Sequence, residues 1–436
     1  MKRLLKILSL LILSLAFLCV FAASVRHVVL GKTKLGIFSQ PLKNFASFPN
    51  TVKMVLSSNE ILGISPTFAT KSAALKEINN LDYDIYGINA FYNIDKKLWN
   101  IKLFNFKDDS AIYTWELHKK DFVKRAERRF ESSRPKNPLL LPDRSLVVMS
   151  AESDNLYKLD KDSRIIWHNS DRNFHHSINL SLDSNIWVCT SKHRPFKYGK
   201  PANIFCFRDD YVTKISLQTG EIMYDKSVSD IFTENGYANF VYGFSNGQSK
   251  LEGDPFHLND IEPVFKDGPF WKKGDLFLSL RHKSLIIHYR PSTNKIIRLI
   301  YGPFLRQHDV DIISDREISI FNNNSTSIGW GVGEKPINHE EIQNELIYSE
   351  ILIYNYEDST YRTYLKDHFV RENIFSSSEG LCHFLNKRDV FVESQNDAIL
   401  YIMNENEIIL KKQYETDMDN RVHVPNWVRL YENVNF

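Results

Sequence analysis

The sequence predicts an all-β fold, a six-bladed β-propeller, behind an N-terminal transmembrane or signal anchor. Three observations predict it. An uncharged apolar run follows basic residues at the N-terminus, one hairpin pattern recurs six times, and a second hairpin precedes most copies. With 436 residues the chain suits one large all-β domain or two to three ordinary ones. Its 29 Phe and 20 Tyr favour pleated surfaces over helices. The net charge of +2 provides no strongly basic face, so nucleic acid is not expected as a partner.

Lys2, Arg3 and Lys6 lead into residues 7–23, which carry no charge. Basic flank and apolar run together read as a secretory signal or an uncleaved anchor, at the short edge of what spans a bilayer. Val20 is an ordinary residue for the upstream position of a cleavage site after Ala22, which favours a retained anchor over residues 1–24. The body is then exported, membrane-anchored and extracytoplasmic, on the periplasmic face of the inner membrane. Cys19 falls in the anchor, leaving Cys189, Cys206 and Cys382 outside. An odd number without close spacing is neither a disulfide framework nor a zinc site. Residues 25–84 do not repeat and read as a juxtamembrane segment. Within it, residues 41–58 have helical spacing on Leu42, Phe45 and Phe48, interrupted at Pro49.

Residues 85–436 form the predicted propeller. Its hairpin unit is an apolar strand, a turn of Asp, Asn, Ser or Lys, and a second apolar strand. Six copies have turns near residues 108, 161, 219, 292, 357 and 405. The second unit occupies residues 137–150, 178–190, 261–280, 310–321 and 382–394. Two hairpins per period make a four-stranded blade, and blades usually number four to eight. A β-sandwich is the alternative, but it has no reason to repeat one hairpin six times. Residues 422–432 are expected to close the ring beside a degenerate first blade. The basic stretch 119–136 reads either as a surface for an anionic partner or as a solvated helical connector.

The repeat register aligns chemistry. His176 stands seven residues before Asp183 at its turn, and His308 seven before Asp315. His257 lies within two residues of that register, and Glu379 occupies it in a further unit. All precede a first, innermost strand and so converge on one mouth of a central channel. The loop after the second strand opens there too, bringing Arg281 and His282. Scattered surface histidines are one reading, though chance rarely aligns three. A zinc or iron site is another, but a fixed guanidinium opposes a cation. Imidazoles beside an arginine suit an oxyanion such as sulfate or phosphate, and no metal or cofactor is expected. The register implies that His176, His257, Arg281 and His308 lie within about 12 Å of one another.

These residues resemble the bacterial arylsulfotransferases. The paired His175–His176, the segment His257-Leu258-Asn259, the segment Ser279-Leu280-Arg281-His282 and the pair Gln307–His308 occur in that family's order. The resemblance covers about residue 85 to the end. It implies a six-bladed propeller that moves a sulfuryl group between a small sulfate ester and an acceptor hydroxyl without a nucleotide. By it, His308 is the nucleophile that becomes a transient sulfohistidine. His257, Arg281 and His176 hold the sulfuryl oxygens and trade protons, and His175, Asn259, His282, Gln307 and Glu379 line the substrate site. Asp309, next in the chain, is expected to fix the tautomer of His308. The anchor is unusual for the family, and the close cysteine pair of some relatives is missing. A non-catalytic propeller binding sulfated or phosphorylated glycans, and a sulfate-ester hydrolase, remain competing readings. A homodimer is left open.

Overall fold

The computed structural model describes residues 2–29, 36–38, 41–42, 45, 67–72, 75–119, 134–150, 155–198, 203–243, 253–325, 348–386 and 388–434. The chain divides into two compact units, Met1–Ser65 and Pro66–Phe436. In the first, Lys2–Val29 is one helix. Its segment Lys6–Arg26 is long and apolar enough to cross a membrane. At 1.5 Å per residue, 21 residues extend about 30 Å, the thickness of a hydrocarbon core. An N-terminal helix of this kind serves equally as an anchor or a signal sequence. The amphipathic helix expected in residues 41–58 and the connector expected in 119–136 lie almost wholly outside the described residues.

The second unit is mostly β. Among the described residues six antiparallel sheets follow one another, and Phe68–Thr70, Tyr414–Glu415 and Arg421–His423 form a further short three-stranded sheet. The second to fifth sheets each use four consecutive strands, beginning at Pro135–Leu140, Asn173–Leu180, Leu258–Pro263 and His308–Ile312. The sixth begins at Leu381–Phe384 and gains Ile78–Asn79 at its far edge. The first is Tyr86–Asn93, Leu98–Asn105 and Ala111–His118, completed by Arg429–Tyr431 from the other end of the chain.

Burial explains the sequence of each strand. Second strands such as Leu146–Ser150, Leu276–Leu280 and Val390–Ser394 are buried at every residue, so they read as unbroken apolar runs. Outer strands such as Ile165–Asn169 are half exposed. The recurrent turn residue has a defined task. Oδ1 of Asp108, Asp143, Asp160, Asn355 and Asn404 accepts the backbone N–H two residues on, at 2.8–3.0 Å. That is the side-chain-closed turn for which Asp and Asn are suited.

The β unit begins before residue 85. Phe68–Thr70 pairs with Arg421–His423, and Ile78–Asn79 pairs with Lys411 and Leu410. These short strands cover sheet edges that would otherwise present unpaired backbone groups. As expected for residues 422–432, the C-terminal strand joins the first sheet, with Arg429 opposite Ile88. One apolar cluster also unites Ile85, Phe104 and Phe106 of the first sheet's region with Phe391, Leu400 and Ile402 of the sixth.

Polar side chains tie the first strands together. Asn137 Oδ1 accepts Ile178 N at 2.8 Å, Ser177 Oγ accepts Ile261 N at 3.2 Å, and Asp260 Oδ2 accepts Val310 N at 3.0 Å. Asp309 Oδ2 accepts Cys382 N at 2.9 Å. The two oxygens of Glu393 accept Trp427 N at 3.0 Å and Val428 N at 2.7 Å. Asn426 then donates to Pro135 O at 2.8 Å, returning to the second sheet.

Glu393 is the test of this network. Burial pushes its carboxyl up to about 7, against the lowering effect of its two N–H partners. A raised carboxyl contributes stability in full below its ordinary value of about 4.3 and loses it as pH rises through about 7. Thermal unfolding should therefore show stability falling across that window, with a shallower slope in Glu393→Gln. Glu393→Ala leaves two buried N–H groups unpaired and should cost about 2–4 kcal/mol. Equal slopes in wild type and Glu393→Gln would remove Glu393 from this role.

Candidate functional site

One backbone feature recurs at the head of all six first strands. Asn137, His176, His257, Asp309, Glu379 and Trp427 each have positive φ, between 47° and 64°. In four of the sheets the pairing register shifts at that place, as in a β-bulge. A bulge turns a side chain out of the regular pleat and re-aims it, often beside a functional site. In the sixth sheet Glu379 is followed by Gly380 at φ 93°, where a Cβ would lie 2.6 Å from the Phe321 ring. His176 sits inside its strand, His308 begins one, His257 immediately precedes its strand, and Glu379 stands two residues before its own.

These turns bring the predicted histidines together. The His176 ring centroid is 5.0 Å from that of His257 and 5.8 Å from that of His308. His175 adds a hydrogen bond between its Nδ1 and His176 Nδ1 at 2.8 Å. His282 stacks on His257 with centroids 4.4 Å apart. Arg281 is nearly buried, bonds its backbone N–H to His257 O at 3.1 Å, and lowers the His308 pKa by its charge. Asn259 and Gln307 are fully buried, but their amide N–H groups are engaged within the protein. Asn259 donates to Gln307 O at 2.7 Å, and Gln307 donates to Ser279 Oγ and Leu285 O. These contacts brace neighbouring strands.

Each imidazole has its own Nδ1 partner. His257 Nδ1 lies 2.7 Å from Asp254 Oδ2, and His282 Nδ1 lies 2.8 Å from the backbone oxygen of Asp254. Both acceptors require a proton on Nδ1. Ligand atoms of Asp254, His257 and His282 fall within 4.8 Å of one another, as in a metal site. His308 Nδ1 lies 2.6 Å from Asn323 Oδ1. The expected partner Asp309 is elsewhere: its carboxylate accepts Cys382 N. Backbone reversal at a residue with φ 52° sends the two adjacent side chains to different places.

Electrostatics keep His308, His176, His175 and His282 neutral. Burial pushes His308 well below its ordinary pKa, and Arg281 adds to this. Burial and the Lys136 charge do the same to His176, and burial and Arg208 to His175. His282 falls to about 4 through burial and its neighbour His257. Burial lowers Arg281 to about 10, still charged at neutral pH.

Four contributors were not singled out from the sequence: Lys136, Trp427, Asp254 and Asn323. Lys136 is buried, pairs with Glu379 Oε1 at 3.0 Å, and lies 5.2 Å over the Trp427 ring. Burial raises the Glu379 pKa, but Lys136 and Arg134 outweigh it and hold the carboxylate at about 2. Trp427 packs edgewise on His176 and His308 at 5.8 and 6.3 Å. Lys136 stands seven residues before Asp143, the register of His176 and His308. That signal was available.

Away from the imidazoles, a cavity of about 340 Å³ is lined by Asp260, Glu262, Asp309, Asp311, His383 and Arg429, among others. Burial and mutual repulsion raise the pKa of Asp260, Glu262 and Asp309.

Fold and site define a mostly β protein whose repeated strands hold neutral imidazoles against an arginine, an arrangement suited to anionic groups. The chain belongs to the arylsulfotransferase (ASST) family, whose sequence profile matches residues 137–415. No curated protein matches it. Among solved structures it is similar to a Bacteroides caccae protein of unknown function. That pair share 8% identity over 80% of this chain and 98% of the other, with a TM-score of 0.47. The Dos1 propeller matches at 12% identity over 79% and 75% of the two chains, with a TM-score of 0.39. Kuenenia stuttgartiensis hydrazine synthase matches at 11% over 76% and 79%, with a TM-score of 0.40.

The tautomer of His308 is directly measurable. With Nδ1 donating to Asn323 and the pKa depressed, ¹⁵N-histidine NMR should show a neutral ring protonated on Nδ1, unchanged from about pH 8 to about pH 5.5. A titration near its ordinary value of about 6.5, or a proton on Nε2, contradicts the site geometry.

Proposed function

We propose that the protein is an arylsulfotransferase-like enzyme that carries a sulfuryl group on His308, without a nucleotide. The six sheets are its blades, closed into a six-bladed propeller by the C-terminal strand, and the imidazoles face one mouth of its channel. The apolar helix anchors it, with the β body outside the cytoplasm.

The observation that carries this reading is a buried, neutral imidazole held through Nδ1 beside a charged guanidinium. Neutral imidazole with its Nε2 pair available is an effective nucleophile. Nε2 attacks sulfur, the ester S–O bond breaks, and the departing phenolate takes the Nε2 proton of a His257 that enters the cycle as the imidazolium, its Nδ1 proton held by Asp254. An acceptor hydroxyl then gives its proton to His257 as its oxygen attacks sulfur. The S–N bond breaks and its electron pair returns to Nε2. Asp254 supports a proton carrier at His257, as carboxylates do for catalytic imidazoles. Arg281 and His176 hold the sulfuryl oxygens, where charge grows in the transition state. The singly charged sulfate ester suits the neutral His176 and His308 beside Arg281 better than a doubly charged phosphate ester does.

Incubation with 4-nitrophenyl sulfate tests this reading. Release of 4-nitrophenol only when phenol is added identifies a transferase; release without phenol identifies a hydrolase. No release favours a binding protein. Quenched after donor alone, wild type should carry an adduct of about 80 Da, the mass of SO₃, on His308, and His308→Ala should carry none. An adduct on His176 or His257 reassigns the nucleophile. His257→Ala and Arg281→Ala should each lower the rate roughly 10²–10³-fold. Arg281→Lys should recover only part of that, lacking the planar fork. The protein should sediment with membranes; a soluble form starting near Ala23 would show a cleaved signal instead.

A further inference from the structure

His257 and His308 are held through the same ring atom by chemically different partners. Asp254 offers His257 a carboxylate, whereas Asn323 offers His308 a neutral amide oxygen. The amide orientation is fixed independently of the histidine. Asn323 Nδ2 donates to Ser376 O at 2.7 Å and to Glu379 O at 2.6 Å. Both are backbone carbonyls and can only accept, so Oδ1 must face Nδ1. Asn323 is fully buried, and Ser349 Oγ donates to its backbone oxygen at 3.3 Å. The side chain therefore has one orientation and a partner for each of its polar atoms.

We propose that Asn323 is a positioning residue that keeps the covalent adduct on His308 short-lived. This rests on the sulfohistidine reading given above and adds what governs the intermediate's lifetime. When Nε2 gives its pair to sulfur and the S–O bond breaks, the ring retains its Nδ1 proton and acquires a positive charge. The group expelled in the second step is then neutral imidazole, whose conjugate acid has an ordinary pKa of about 6.5. An amide oxygen accepts the Nδ1 hydrogen bond without taking the proton. A carboxylate there would take it, leaving a neutral N-sulfoimidazole that must expel an imidazolate. Breakdown of that adduct would be far slower. The same carboxylate would make the free ring a better nucleophile, so formation would not suffer. His257, which must gain and lose a proton in every cycle, is the imidazole that carries the carboxylate.

The test separates the two half-reactions by rapid quench of the full-length protein with 4-nitrophenyl sulfate, then with phenol. In Asn323→Asp, adduct formation should equal or exceed that of wild type, while transfer to phenol slows at least about ten-fold. Adduct then accumulates even with phenol present. Asn323→Ala loses orientation alone and should slow formation without lengthening adduct lifetime. Equal slowing of both steps in Asn323→Asp, or an unchanged partition between them, overturns the inference while leaving the sulfohistidine intact. Absence of any His308 adduct in wild type overturns both. Because aspartate cannot donate to Ser376 and Glu379, folding of that variant is checked by a measurement on wild type. ¹⁵N-histidine NMR of the donor-loaded protein should show the adducted ring still protonated on Nδ1. A deprotonated Nδ1 there overturns the inference whatever the variants do.

Discussion

The site depends on a left-handed residue at the head of each first strand. A regular strand directs its side chains alternately to two faces. In stacked sheets both faces are occupied by the neighbouring sheets, so no regular strand position aims along the remaining direction. Reversing φ at one residue inserts a bulge and supplies that direction. The conformation costs of order 1–3 kcal/mol for a residue with a Cβ, so it persists only where the surroundings hold it. Here they do. Asn137, Asp309 and the residue following His176, Ser177, accept backbone N–H groups from the next sheet. One distortion thus aims the functional side chains and frees polar groups to couple neighbouring sheets.

That geometry sets the charge distribution. Imidazoles gathered at one place are desolvated and lose the charged form, and the cations around them act in the same direction. Lys136 would be another uncompensated charge were it not paired with Glu379. Of the carboxylates that bridge the strands, Asp260 and Asp309 line a cavity together with Glu262 and Asp311, whereas Asp210 accepts Leu258 N beside His175. Both groups of side chains come from the same short strands, aimed in different directions.

The sequence revealed whatever is periodic. Hairpin turns recur because Asp or Asn closes each one, and the register counted back from those turns located His176, His308 and Glu379. Lys136 holds the same register, seven residues before Asp143, although it is not a histidine. The C-terminal strand was legible for a related reason, since the first sheet lacked a first strand and residues 422–432 had none to pair with. What was not legible is set by contacts between distant segments. Asn323 lies beyond the end of a second strand and Asp254 before the start of a first one, and neither falls in a repeated position. Asp309 neighbours His308 in sequence but not in space. The bulge that positions His308 is also what sends Asp309 to Cys382.

An imidazole that forms a covalent bond and then breaks it faces opposing demands. Basicity favours attack, yet it also makes the ring a reluctant leaving group. Burial and Arg281 push the His308 pKa down, while the hydrogen bond from Nδ1 to Asn323 partly restores it. A carboxylate in place of that amide would tilt the balance toward attack. With Arg281 alone, the ring would lack a fixed tautomer and Nε2 would not be reliably free. A neutral acceptor satisfies both constraints. It orients the ring as firmly as a carboxylate can, because its own amide group is tied to two carbonyls, and in the proposed mechanism it would leave the positive charge of the adduct where it weakens the S–N bond.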